Sequence, residues 1–111
     1  MNQGIQLVVY PVKDLVKAKL LYSQWLGVQP YADAPYYVGY RIGDQEIGLD
    51  PNGPAAGPIG YRYVDDIQNA LQGLLDAGAQ TQQAVRDVGG GRLIATVKDA
   101  DGNLFGLVQN P

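Results

Sequence analysis

An internal repeat constrains this chain more than any other feature of its sequence. Val12 and Val64, Asp14 and Asp66, Leu15 and Ile67, Ala18 and Ala70, and Leu7 and Ile59 correspond, each pair 52 residues apart. In both halves a run rich in β-branched and aromatic residues, "GIQLVVYPV" or "IGYRYV", reads as a strand. A helical pattern follows each run. Leu15, Ala18, Leu21, Tyr22, Trp25 and Leu26 mark one apolar face after the cap Asp14, and Gly27 is the stop. Ile67, Ala70, Leu71, Leu74 and Leu75 do the same after Asp66, ending at Gly78.

Each half then closes on strands. "YYVGYRIGDQEIGLD" is two strand-like runs joined at Gly43-Asp44, a hairpin signal. "RLIATVKD" and "GNLFGLVQ" are joined by the turn Asp99-Ala100-Asp101-Gly102. "PNGPAAGP" at 51–58, with three prolines and two glycines, reads as a linker. The expected organisation is a duplicated β-α-β-β(-β) unit. With about 50–55 residues each, the units are too small to bury an apolar face alone, so they must pack on each other or on another subunit. The expected boundaries are 1–52 and 53–111, within a single domain of 111 residues.

The final strands pose a question. Ile47-Gly48-Leu49 and Phe105-Gly106-Leu107 are the same apolar-glycine-leucine triplet near the end of each half. Glycine weakens a strand and marks a bulge or the close approach of something else.

Composition excludes much familiar chemistry. The chain has no cysteine and no histidine, which rules out disulfides, thiol catalysis, Ser-His-Asp or Cys-His nucleophilic sites, and imidazole or thiolate metal ligands. Glu46 is the sole glutamate. A cysteine-free chain fits a cytoplasmic protein. With a net charge of −3 and scattered basic residues, neither nucleic acid nor an anionic membrane is an expected partner. No apolar run approaches a membrane span, and the first residues lack the pattern of a secretory signal.

The chain resembles the glyoxalase, bleomycin-resistance and extradiol-dioxygenase (vicinal oxygen chelate) superfamily along its whole length. "YPVKDLVKAKLLYSQWLGV", "YVDDIQNALQGLLDAGA" and "VKDADGNLFGLVQ" carry the resemblance through their order and spacing. The resemblance implies an α+β fold of two tandem βαβββ modules forming a curved, partly open barrel-like sheet, commonly paired as a homodimer. It also implies a site on the concave face. There, metal-dependent members place one ligand on the first strand and one on the last strand of each module.

Aligned on the helix starts and final turns, those positions are Leu7, Gly48, Ile59 and Gly106. None has a side-chain lone pair for a cation. A shift by one residue supplies Gln6, and a shift by two Glu46, but no quartet. A site without metal or other cofactor is therefore expected, with the two glycines standing where ligands would be. Relief of strand curvature is the structural reading of the same glycines.

Strand alternation places Ile5, Val9, Glu46, Asp50, Tyr61, Tyr63, Leu104 and Val108 on that same face, and Ile47, Leu49, Phe105 and Leu107 toward the helices. The candidate ligand-binding set is Leu7, Val9, Tyr37, Glu46, Gly48, Ile59, Tyr61, Tyr63 and Gly106. Tyrosine, with eight copies, supplies rings with a polar tip that suit flat, partly polar ligands, and equally suit strands whose hydroxyls stay wet. Glu46 and Asp50, with a tyrosine as the other acid/base group for an enzyme, are weak catalytic candidates: a close carboxylate pair can hold one raised pKa, or can sit solvated at a rim. The rim is the expectation, with Arg41 across the hairpin as a partner. Trp25 is expected in the core or at a dimer interface.

"VGGGR" lacks the Lys-Ser/Thr of a phosphate loop, "DADGN" lacks the spacing of a calcium loop, and Asp65-Asp66 is a helix cap. The expected function is metal-independent binding of a small hydrophobic or aromatic molecule. The alternatives are a metal-free isomerase or lyase, and a protein–protein interaction module whose concavity is filled by its own side chains.

Overall fold

The computed structural model describes residues 4–53 and 57–111, so 54–56 of the linker lie outside the described residues. Among the described residues ten elements follow one another. They are β1 (Ile5–Pro11), α1 (Leu15–Leu26), β2 (Ala32–Ala34), β3 (Tyr37–Ile42) and β4 (Gln45–Asp50), then β5 (Ile59–Tyr63), α2 (Ile67–Asp76), β6 (Gln80–Asp87), β7 (Leu93–Lys98) and β8 (Leu104–Gln109). The order is βαβββ twice, an α+β arrangement. Among the described residues no helix is long and apolar enough to cross a membrane.

Tertiary contacts divide the chain into two compact units: 7–58, and 59–111 together with the residues up to Gln6. In the first unit the strand order is β2-β3-β4-β1, with β3 antiparallel to both neighbours and β1 parallel to β4. In the second it is β5-β8-β7-β6, with β5 parallel to β8. The register repeats too: Val9 lies opposite Gly48, and its counterpart Tyr61 lies opposite Gly106.

Both helices start by the same chemistry. The Asp14 carboxylate accepts the Lys17 backbone N–H, and the Asp66 carboxylate accepts that of Asn69, each at 3.1 Å. Such caps contribute about 1 kcal/mol each by satisfying an orphan donor. Gly27, at φ 73, ends α1 in the left-handed conformation that glycine adopts without strain. At the β3–β4 hairpin Gly43 has φ 58 while Asp44 does not have positive φ, as a type II′ turn requires.

The alternation expected from sequence holds. Leu49 packs with Val38 and Tyr40 beneath α1, with Ile47 alongside; Leu107 packs with Ala95 and Val97 beneath α2, with Phe105 alongside. Burying each of the larger aliphatic side chains contributes roughly 1.5–3 kcal/mol. The α2 face is the expected one, with Ile67 and Leu71 buried and Ala70, Leu74 and Leu75 packed around them.

Helix α1 departs from expectation. Leu15, Ala18, Tyr22 and Leu26 pack on the sheet, but Leu21 and Trp25 are 67% and 65% exposed. The cause is a polar pin. Tyr40 is fully buried on β3, and its hydroxyl donates to the Lys19 carbonyl at 3.1 Å and lies 2.8 Å from Ser23 Oγ. At 3.6 residues per turn, seating Lys19 and Ser23 against β3 rotates Leu21 and Trp25 outward. Trp25 makes an edge contact on Tyr22, with ring centroids 5.9 Å apart.

Strand β6 has no counterpart among the runs read from sequence. "QTQQAVRD" shows no apolar alternation because it is an edge strand exposed along nearly its whole length. Its pairing with β7 slips twice, between Thr81 and Gln83 and between Gln83 and Arg86, as edge strands do where bulges discourage further pairing.

Candidate ligand-binding faces

The site residues lie on the sheet face opposite each helix. In the first unit two rows cross that face: Gly39, Gly48 and Val9 form one, and Arg41, Glu46 and Leu7 the other. The first row is almost bare of side chains, leaving a recess with Gly39 and Gly48 as its floor. Two tyrosine rings occupy it. A Cβ on Gly48 would lie against the Tyr37 hydroxyl, 2.7 Å from its Cζ and 2.9 Å from Cε1. A Cβ on Gly39 would lie 3.1 Å from Cε2 of Tyr37 and 3.2 Å from Cε1 and Cζ of Tyr31. The glycine of "QEIGLD" is there because an aromatic ring lies on it.

The second row is polar. Glu46 is 8% exposed, and its Oε1 accepts the Tyr31 hydroxyl at 2.8 Å and Arg41 Nη2 at 3.4 Å. The Arg41 guanidinium also lies 4.2 Å from the centre of the Tyr31 ring. Arg41, Tyr31 and Glu46 thus form a closed triangle. The rim expected for Glu46 is corrected: its carboxylate is buried, because the Tyr31 ring from the segment before β2 covers it and supplies a donor. Sequence reasoning missed Tyr31, since it lies outside every strand pattern and reaches the face only through the fold.

Asp50 is separated from Glu46 in role. Its carboxylate accepts the Asn52 N–H at 2.8 Å and its carbonyl accepts the Val12 N–H at 3.1 Å, so it closes the turn after β4. The two carboxylates expected as a pair form no dyad.

In the second unit Ile59 and Tyr61 are buried, and the Tyr61 ring lies directly on its paired residue Gly106. A Cβ there would stand 2.5 Å from Tyr61 Cδ2 and 3.0 Å from the Ala95 carbonyl oxygen. This is an aromatic ring covering a cross-strand glycine, a structural device in itself. Beside Gly106, Thr96 donates its hydroxyl to Gln82 Oε1. Tyr63 accepts Arg92 Nη2 at 2.9 Å and lines a polar cavity of about 330 Å³ with Gln6, Asp65, Gln109 and Asn110. Gln109 Oε1 there accepts the Ile67 N–H at the start of α2.

The residues do not fit a metal ion. The positions expected to carry ligands hold Leu7, Gly48, Ile59 and Gly106, and Glu46, opposite Leu7, is the one carboxylate in those rows of the first unit. Among the described residues no three of His, Cys, Asp and Glu cluster to hold a cation.

The other acidic motifs are structural as expected. Asp99 takes the backbone N–H groups of Asp101 and Asn103 and the Asn103 side-chain amide, at 2.9–3.0 Å. These bonds, the Asn103 side chain's foremost, hold its carboxyl below the usual carboxylate range. Gly89, Gly90 and Gly91 all have positive φ in the β6–β7 turn, where Asp87 accepts the Gly89 N–H at 2.7 Å.

Two βαβββ modules with matching register, each with a helix on one sheet face and the candidate site on the other, define a glyoxalase-like protein. The model of the Glyoxalase/Bleomycin resistance protein/Dioxygenase superfamily matches residues 4–107, and the chain belongs to that superfamily. Among solved structures it is similar to methylmalonyl-CoA epimerase from Mycobacterium tuberculosis, with TM-score 0.77, 19% identity, and coverage of 99% of this chain and 89% of that one. It is similar also to a glyoxalase/bleomycin resistance protein/dioxygenase superfamily member from Vibrio splendidus 12B01, with TM-score 0.73, 18% identity and coverage of 95% and 97%. The Mn(II)-bound glyoxalase from Novosphingobium aromaticivorans aligns with TM-score 0.71 and 18% identity, over 98% of this chain and 40% of that one. At these identities the likeness is one of fold. No curated protein sequence matches the chain significantly.

Proposed function

We propose that this protein binds a small, flat, hydrophobic or aromatic molecule without a metal ion. The observation that supports this best is a sheet face whose Gly39–Gly48 floor accepts flat aromatic rings, those of Tyr37 and Tyr31, beside the Arg41–Glu46–Tyr31 triangle. Apolar walls with a few fixed polar groups are the usual lining of small-molecule sites. Trp25, facing outward on α1, is the wrong reporter for it. The test is titration of isotope-labelled protein with a panel of planar compounds, following backbone amides. Saturable shifts on the sheet faces support binding; a panel that moves no amide on either face refutes it. Zinc, nickel or manganese retained stoichiometrically through exhaustive chelation would overturn metal independence.

A second reading is metal-free proton transfer, favoured by the burial of Glu46 beneath Tyr31. The epimerase from Mycobacterium tuberculosis shows that this fold hosts an enzyme. Deuterium uptake from solvent at a carbon acid, abolished by Glu46→Gln, would establish it.

The working protein in this proposal is a homodimer. Val16, Leu20, Leu21 and Trp25 are each 65–69% exposed on α1, the kind of apolar surface that a monomer seldom leaves uncovered.

A further inference from the structure

We propose that the polar cavity beyond the carboxyl ends of β5 and β8 binds a small, neutral, polyhydroxylated molecule of about monosaccharide size. It is a second site, independent of the flat-ligand reading above, and it lies wholly within the second compact unit.

Two parallel strands end at this place, and crevices beyond the carboxyl ends of parallel strands are where such sheets take ligands. Tyr63, Val64 and Asp65 form one wall; Gln109, Asn110 and Pro111 form the other. The Val64 N–H, donating to the Val108 carbonyl at 2.8 Å, holds the two walls together. The volume, about 330 Å³, is at the lower end of the range for small-molecule sites.

The chemistry of the walls selects the ligand. Asp66 makes the α2 cap, so the exposed carboxylate of its neighbour Asp65 has no hydrogen-bond partner among the described residues. Gln109 commits Oε1 to the Ile67 N–H at 2.8 Å, which fixes its amide and leaves Nε2 with two protons to donate. Asn110 adds a second amide. An acceptor-only carboxylate thus stands with donor amides, and a hydroxyl group, which both donates and accepts, satisfies either. Neighbouring hydroxyls on one carbon skeleton meet both. An anion is disfavoured, because Asp65 is the one charged side chain of the lining, while Arg92 is bonded to Tyr63 and is not part of the lining. An ammonium ion suits Asp65 but not the Nε2 protons. An apolar ligand would strip water from these groups without replacing its bonds.

The probes are D-glucose, D-galactose and D-mannose, titrated separately into isotope-labelled protein while the backbone amides of Asp65 and Asn110 and the Gln109 side-chain amide are followed. At least one sugar moves these signals together and saturates. Asn110→Ala and Asp65→Asn, both at exposed positions, weaken that sugar roughly three- to tenfold, the worth of one hydrogen bond. Acetate, the anionic control, produces no saturable shift there. The wild-type titration decides the matter by itself if either variant fails to fold. Three sugars without a saturable response at the cavity overturn the proposal, even where planar compounds shift the sheet faces and so sustain the reading above. A sugar that binds both variants as tightly as the wild type, or that acetate displaces, overturns it as well.

Discussion

Replacing Gly106 by alanine tests the idea that the strand glycines exist to seat aromatic rings. The new methyl would stand 2.5 Å from Tyr61 Cδ2, where carbon atoms rest at about 3.5–4.0 Å, so the ring must retreat by about 1 Å. Tyr61 is 6% exposed, and the Ala95 carbonyl oxygen at 3.0 Å closes another side, so the ring has little room to move. Overpacking of this kind costs roughly 1–3 kcal/mol. Alanine gives back about 0.4–1 kcal/mol by narrowing the unfolded ensemble. The net loss is about 1–2 kcal/mol, or a drop in Tm of roughly 4–8 °C for a domain of this size.

Thermal and urea unfolding followed by circular dichroism measure it directly. The decisive comparison is the same substitution in a Tyr61→Ala background. With the ring gone, the cost of the methyl falls below about 0.5 kcal/mol, a coupling energy typical of residues in contact. Gly106→Ala that melts at or above the wild-type temperature, or that costs the same in both backgrounds, would refute the reasoning.

Other predictions concern the remaining polar and apolar contacts. Glu46→Gln keeps an acceptor for Tyr31 but removes the charge, and chemical denaturation should register a loss of about 1 kcal/mol, the difference between charged and neutral hydrogen bonds. The Asp99 carboxyl titrates lower in the folded protein than in the unfolded chain. Its contribution is therefore complete above the unfolded pKa of about 4 and is lost as pH falls through the lower folded value. Amide signals of Asp101 and Asn103 in an acid titration should follow that window, and Asp99→Asn should abolish the dependence. Burial, with Tyr10 nearby as a smaller cause, holds the Tyr22 phenol above its ordinary range. Its stabilising contribution is present below the unfolded tyrosine pKa of about 10 and disappears as pH rises through the folded value, which ultraviolet titration of wild type against Tyr22→Phe will show. Leu20→Lys should shift sedimentation from dimer to monomer while leaving the fold intact; a monomeric wild type refutes the covered α1 face.

The sequence by itself determined most elements of this protein, the edge strands β2 and β6 excepted, and the faces of the strands it marked. Repeats, caps and two-residue alternation are local signals, and they were sufficient for the paired modules, for Asp14 and Asp66 as caps, and for Ile47, Leu49, Phe105 and Leu107 as core. The poverty of metal donors was equally plain, because it is a matter of which side chains exist. Only the tertiary structure decided where rings and charges came to rest. Alternation places Gly48 on a face but does not say that Tyr37 from the neighbouring strand lies on it. Periodicity marks Leu21 and Trp25 as apolar, while a single buried hydroxyl on Tyr40 fixes the rotation that leaves them outside. Glu46 became a buried group because Tyr31, distant along the chain, closes over it. Such outcomes depend on non-local pairing and on the few rotamers that close packing allows, and neither is written in any short stretch of residues.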